Sequence, residues 1–220
     1  MSTVILVCTS LIDYIQAAQK GQGTDYPVIT VDKSYHKEPE LMKQRIIEII
    51  DALEPEIDTV LVAMGFCGGS WDHMTFFRRV VIPRVDDCVS LLLHTDDAYH
   101  PNLKEFGHLY LYEKDPDSFS KDRIMDGQMP EEYGGLDSDT LFHMFFDNYR
   151  YLDIVDTGLN DCYTEEYVEK AQANADAFQV LLDYVPGSNL LLEKLVSGRW
   201  DEQFLVAEPG HLIRHSDFFA

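Results

Sequence analysis

Three absences narrow the reading of this 220-residue chain. It has no apolar run near the roughly 20 residues a membrane-crossing helix needs, so no membrane span is expected. It is short of positive charge: 17 Lys and Arg stand against 39 Asp and Glu, a formal charge of −22. A field of that sign repels phosphate backbones and anionic lipid surfaces, which argues against nucleic acid and membrane as partners. The acidity serves solubility, or offers a docking face to a basic partner. The familiar motif spacings are also missing. There is no CxxC pair, no Walker A lysine loop and no dinucleotide glycine fingerprint.

The start of the chain lacks a further feature. Its apolar residues end at Cys8 with no basic stretch before them, so it reads as a buried first strand and not as a secretory signal. A reducing, cytoplasmic setting is the expectation. The four cysteines, Cys8, Cys67, Cys88 and Cys162, are then core residues, metal ligands or nucleophiles before they are a disulfide frame.

What is present is a globular composition, 45% hydrophobic, and an alternation of short β-rich runs with helical patterns. Strands are expected at 4–7, 27–31, 57–64, 80–82, 108–112, 151–155, 178–184 and 204–207. Helices are expected near 38–53, 88–93, 140–150, 163–177 and 186–197, with Ser70 placed to cap another. The stretch between strands one and two reads as polar chain ending in a Gly21-Gln22-Gly23 turn. This order predicts an α/β fold with a mostly parallel sheet and flanking helices, Rossmann-like. It suits a single domain over 1–220 or two Rossmann-like lobes, with a polar surface excursion near 113–139.

In open α/β sheets ligands bind beyond the carboxyl ends of the strands, and the unusual residues fall there. Cys8 follows strand one, His36 follows strand two and Cys67 follows strand three. Arg84, Asp86, Asp87 and Cys88 follow strand four. On a fully parallel reading, Asp156-Thr157-Gly158 and Pro209-Gly210 join the same edge. Cys8, His36, Cys67 and Cys88 are therefore the candidate metal ligands. Three thiolates and an imidazole suit tetrahedral zinc, the favoured ion, and three thiolates also suit an iron–sulfur cluster. Soft sulfur donors disfavour magnesium and calcium. Asp86 or Asp87 is an alternative fourth ligand or a group that orients one.

Two other readings stay open. Gly65-Phe66-Cys67-Gly68-Gly69 matches a nucleophile-elbow pattern with Cys67 as nucleophile and His36 or His73 as base. Alternatively the glycines and cysteines only fill a tight core. The Gly68-Gly69-Ser70 turn offers N–H groups to an anion of a bound cofactor. Arg84 is a candidate clamp for a substrate carboxylate, and Asp87 a candidate base.

Taken together, Cys8, His36-Lys37-Glu38-Pro39, Gly65-Phe66-Cys67-Gly68 and Ile82-Pro83-Arg84-Val85-Asp86-Asp87-Cys88 resemble a known family. Asp156-Thr157-Gly158, Gly187-Ser188, Gly198-Arg199-Trp200-Asp201 and Pro209-Gly210 extend the resemblance over nearly the whole chain. It is a family of uncharacterised α/β proteins of methanogens and other anaerobes, defined as a domain of unknown function. Its members are often encoded near corrinoid-dependent methyltransferases. They usually carry His-Asp-Cys where this chain has Asp86-Asp87-Cys88, so any ligand at the first of those positions would here be Asp86. The resemblance implies one-carbon, methylamine or corrinoid chemistry. The expected functions are a metalloenzyme acting on a small polar molecule, a metal or cofactor carrier serving a corrinoid methyltransferase partner, and a cysteine enzyme built on Cys67.

Overall fold

The computed structural model of the chain describes residues 2–121, 123 and 136–219. Part of the expected 113–139 excursion therefore lies outside the described residues. The chain forms two compact units, Met1–Leu103 with Ser188–Ala220, and Lys104–Gly187.

The first unit holds a five-stranded sheet of β1 (Ser2–Cys8), β2 (Val28–Val31), β3 (Ile57–Ala63), β4 (Arg79–Pro83) and β8 (Phe204–Ala207), in the order β2-β1-β3-β4-β8. Its helices are α1 (Ile12–Gln22), α2 (Pro39–Asp51), α3 (Cys88–Leu93), α6 (Leu190–Ser197) and α7 (His215–Phe218). The second unit holds β5 (His108–Leu111), β6 (Tyr151–Asp156) and β7 (Leu181–Pro186), all parallel, with α4 (Ser138–Phe146) and α5 (Glu165–Phe178). The fold is thus mixed α/β with mostly parallel sheets flanked by helices.

Central strands of the first sheet are apolar on both faces because both faces are covered. Val4 to Cys8 and Val60 to Ala63 are all buried. In the second unit Leu109, Leu111, Leu152 and Ile154 form one core with Leu141, Phe142 and Phe178. Ala171 and Ala175 of α5 are fully buried in it, small enough to let the helix lie close to the sheet.

Four elements depart from the sequence expectation. The stretch after β1 is the helix α1. Its buried face is Tyr14, Ile15, Ala18 and Gln19, and the polar Gln19 masks the pattern. Gln19 Oε1 accepts the Tyr26 N–H at 2.6 Å and Nε2 donates to the Tyr26 carbonyl at 3.3 Å, so its burial costs little. Gly23, with φ 68°, ends the helix in the left-handed region that favours glycine.

No α-helix follows β3. A short 3-10 turn, Cys67–Gly69, stands there, because Cys67, Gly68 and Gly69 all have positive φ (48°, 68° and 97°). Ser70 does not cap a helix: its hydroxyl donates to the Cys67 carbonyl at 2.7 Å. The short helix α7 near the C-terminus was not expected.

Finally, β8 runs antiparallel to β4, pairing Val80 with Ala207 and Pro83 with Phe204. Pro209-Gly210 therefore leaves from the edge opposite Cys8. Asp156 ends a strand of the second sheet, so Asp156-Thr157-Gly158 follows a strand of another sheet than Cys8 does.

Candidate metal centre

Parallel β1, β2, β3 and β4 end on the same edge of the first sheet, and their following residues build one site. Cys8 is the last residue of β1 and fully buried. Beyond β2, Asp32 caps a 3-10 turn, Lys33–Lys37, by accepting the Ser34 N–H at 2.8 Å. Thr9 Oγ1 accepts the Lys33 N–H at 2.9 Å and ties that turn to the end of β1. His36 is thereby carried to Cys8, with Nε2 3.4 Å from Sγ. Ser10 Oγ lies 3.1 Å from the same sulfur.

Cys88 opens α3. Asp87 caps that helix by accepting the Ser90 N–H at 2.9 Å, a side-chain acceptor meeting an otherwise unpaired helical N–H. The capped turn places Cys88 against Cys8. Among the described residues, Cys8, His36 and Cys88 form one group whose ligand atoms all lie within 4.8 Å of one another. Ligands sharing a tetrahedral zinc lie about 3.5–3.8 Å apart, from Zn–S and Zn–N bonds of about 2.3 and 2.0–2.1 Å. Cys8 Sγ and His36 Nε2, 3.4 Å apart, already stand near that spacing. The two cysteines are buried and His36 is exposed, so the imidazole forms the solvent side of the site.

Cys67 belongs to the neighbourhood but not to that mutually close group. Its main-chain N–H donates to the Asp86 carbonyl at 2.7 Å, two residues before Cys88, and Cys88 in turn lies in the close group with Cys8. The Cys88 thiol, and then burial, push the Cys8 thiol well above its ordinary range, against the pull of His36 and Ser10. The Cys67 thiol, with burial, likewise pushes Cys88 up. Crowded, buried thiols keep their protons until a cation displaces them, which couples metal binding to proton release.

The other expected site residues have defined places. The Asp86 N–H donates to the Pro101 carbonyl and its own carbonyl accepts the Cys67 N–H, both at 2.7 Å. Neither the Asp86 nor the Asp87 carboxylate is part of the close group. Arg84 donates through Nε to the Asp217 carbonyl at 2.7 Å and through Nη1 to the Glu202 carbonyl at 2.9 Å. Its guanidinium also lies 4.2 Å from the centre of the Tyr99 ring. A clamp on a substrate carboxylate would compete with those bonds. The Gly69 and Ser70 N–H groups both turn to the Phe66 carbonyl, at 3.3 and 3.2 Å, so those two amides are engaged inside the turn. His73 has a mostly exposed side chain, 3.5 Å from Asp72. Ser10 and Thr9 escaped the sequence reading, and only their position directly after Cys8 marks them.

The family model described as "Protein of unknown function (DUF1638)" matches residues 30–196. The chain belongs to this family. Within the DUF1638 match fall His36, Cys67 and Cys88, while Cys8 precedes it. No curated protein and no solved structure matches the chain. Among the described residues no helix is long and apolar enough to cross a membrane.

Proposed function

We propose that the protein binds one transition metal, zinc before others, through Cys8, His36 and Cys88, and uses it on a small polar molecule. The observation that carries this is the mutual approach of three soft donors within 4.8 Å at the carboxyl edge of the sheet. Two thiolates and an imidazole suit zinc and exclude magnesium and calcium as preferred occupants. A Cys2His set is of the kind that keeps a fourth position for water or substrate. Exposed His36 lies on the side from which a small molecule would enter. Bound there, the ion would polarise a carbonyl or lower the pKa of a water. Cys8, Cys88 and His36 would hold the ion, and the Asp87 cap and the Thr9–Lys33 bond would fix their positions.

The test is metal analysis of protein purified without oxygen, followed by cobalt substitution. A colourless protein with about one zinc per chain, giving an intense thiolate-to-cobalt band after exchange, supports the proposal. A brown protein with iron and sulfide points instead to a cluster, which would recruit Cys67 as a third thiolate. Absence of bound metal in both cases contradicts it. Selective alkylation of Cys67 with no metal bound would favour a cysteine nucleophile.

A further inference from the structure

Cys67 stands beside the three proposed ligands for a reason written into the backbone. The Phe66 and Cys67 N–H groups donate to the Val85 and Asp86 carbonyls at 2.9 and 2.7 Å. Gly65 passes so close to Asp87 that a β-carbon there would meet its Cα at 2.7 Å. The turn after β3 and the start of α3 are thus clamped together, one cysteine on each. Ser70 Oγ fixes the turn from within through the Cys67 carbonyl. Cys67 itself holds a φ of 48°, a conformation that costs a residue with a β-carbon energy and persists only where its surroundings impose it. None of these bonds involves a ligand. The clamp holds the backbones that carry Cys67 and Cys88 together whether or not a metal is present.

We propose that Cys67 and Cys88 form a reversible disulfide that takes Cys88 out of the ligand set, making the metal centre redox-sensitive. The effect on metal rests on the zinc reading above; the pairing of the two cysteines does not. Of the three clustered cysteines Cys67 is the least buried residue, at 7% against 3% for Cys88 and 0% for Cys8, and the proposal makes its sulfur the one that peroxide oxidises. Cys8 is held by His36 and Ser10, which leaves Cys67 as the available partner.

The chemistry balances with hydrogen peroxide as oxidant. In the metal-free chain, peroxide oxidises the Cys67 thiol to a sulfenic acid and releases one water. The Cys88 thiol then displaces the sulfenic oxygen as a second water, forming the S–S bond. The two sulfurs together lose two electrons and the peroxide O–O bond takes them up. In the loaded chain Cys88 enters as thiolate, its bond to zinc breaks, and one solvent proton completes the second water. A dithiol or phosphine reductant reverses the bond.

The experiment treats reduced, zinc-loaded protein with equimolar hydrogen peroxide. Disulfides are mapped by differential alkylation and mass spectrometry, and freed zinc is followed with a chromophoric chelator. The expected result is a Cys67–Cys88 linked peptide, Cys8 and Cys162 still alkylatable, and zinc released in step with the bridge and regained after reduction. Cys67→Ser should keep its zinc and release it several-fold more slowly under the same peroxide. A Cys8–Cys88 bridge, sulfinic acids without a bridge, or undiminished zinc release from Cys67→Ser would overturn the proposal. If the reduced protein takes up no zinc, the metal reading fails. The same peptide map on the metal-free chain then still decides the cysteine pairing.

Discussion

Gly65 and Asp87 touch backbone to backbone: a β-carbon on Gly65 would sit 2.7 Å from both the N and the Cα of Asp87. Two strand-end loops that carry Cys67 and Cys88 meet at this point, so the position has no room for a side chain. Gly65→Ala should therefore push the loops apart. Overpacking of this kind costs about 1–3 kcal/mol, and the accompanying shift should loosen metal retention. Chemical denaturation together with zinc titration of the variant checks both effects. A variant with parental stability and affinity would show that the clamp does not position the site.

His36 stands at the exposed rim of the centre while Cys8 and Cys88 lie beneath it. Removing the rim ligand should leave the fold intact. His36→Ala is expected to melt like the parent when both are metal-free, yet to hold zinc much more weakly. Cys8→Ser and Cys88→Ser should lose zinc retention altogether, since each removes a buried thiolate. Equilibrium competition against a chelator of known affinity ranks the three variants. Unchanged affinity in His36→Ala would remove the imidazole from the ligand set.

His94 sets a pH dependence. It is buried, and its Nδ1 donates to the Ser90 carbonyl at 2.8 Å. Burial holds its imidazole below the ordinary value of 6.5; His100 and Lys194 push the same way, while the Ser90 carbonyl and Asp96 oppose them. The unfolded chain thus takes a proton near pH 6.5 that the folded chain accepts only at lower pH. The stabilisation is present above 6.5 and is lost as pH falls through the folded value. Melting temperature should drop on acidification below 6.5, and His94→Gln, which cannot titrate, should flatten that part of the profile. An identical slope in the variant would assign the effect elsewhere.

Lys194 is a buried cation with a full set of acceptors. Its Nζ lies 2.8 Å from Asp97 Oδ1 and 2.5 Å from Asp201 Oδ2, and it also donates to Gln203 Oε1. Its side chain is 4% exposed, whereas those of Asp97 and Asp201 are 81% and 42% exposed. Loss of the amine would let both carboxylates return to water but leave buried Gln203 without a donor. Lys194→Met should therefore cost about 1–3 kcal/mol, the penalty of an unpaired buried polar group. That is less than expected for two stranded buried charges. Urea denaturation measures it, and a loss much larger than this would mean the carboxylates cannot rehydrate.

Much of the fold was readable because most β-strands are apolar runs bounded by turn residues. The strands around Val4, Val60 and Ile154 follow that pattern directly. Helix α1 was hidden because Gln19 spends its amide on Tyr26 inside the fold, so a buried position looked polar. The crossover after β3 misled because Ser70 resembles a helix cap, while the positive φ of Cys67 and both following glycines forbids the helix. Strand direction is absent from hydrophobic pattern altogether, and β8 was placed the wrong way round for that reason. At the site, strand-end position alone brought Cys8, His36 and Cys88 to one edge. Cys67 shares the edge, but its place beside Cys88 and outside the close group depends on the backbone clamp, which no spacing reveals.

The proposed centre is tested most directly by X-ray absorption at the zinc edge of reduced, zinc-loaded protein. A shell of two sulfurs near about 2.3 Å with imidazole nitrogen near about 2.0–2.1 Å, lost in Cys88→Ser, is the expected result. A shell of oxygen and nitrogen alone, or one unchanged by removal of Cys88, would contradict it.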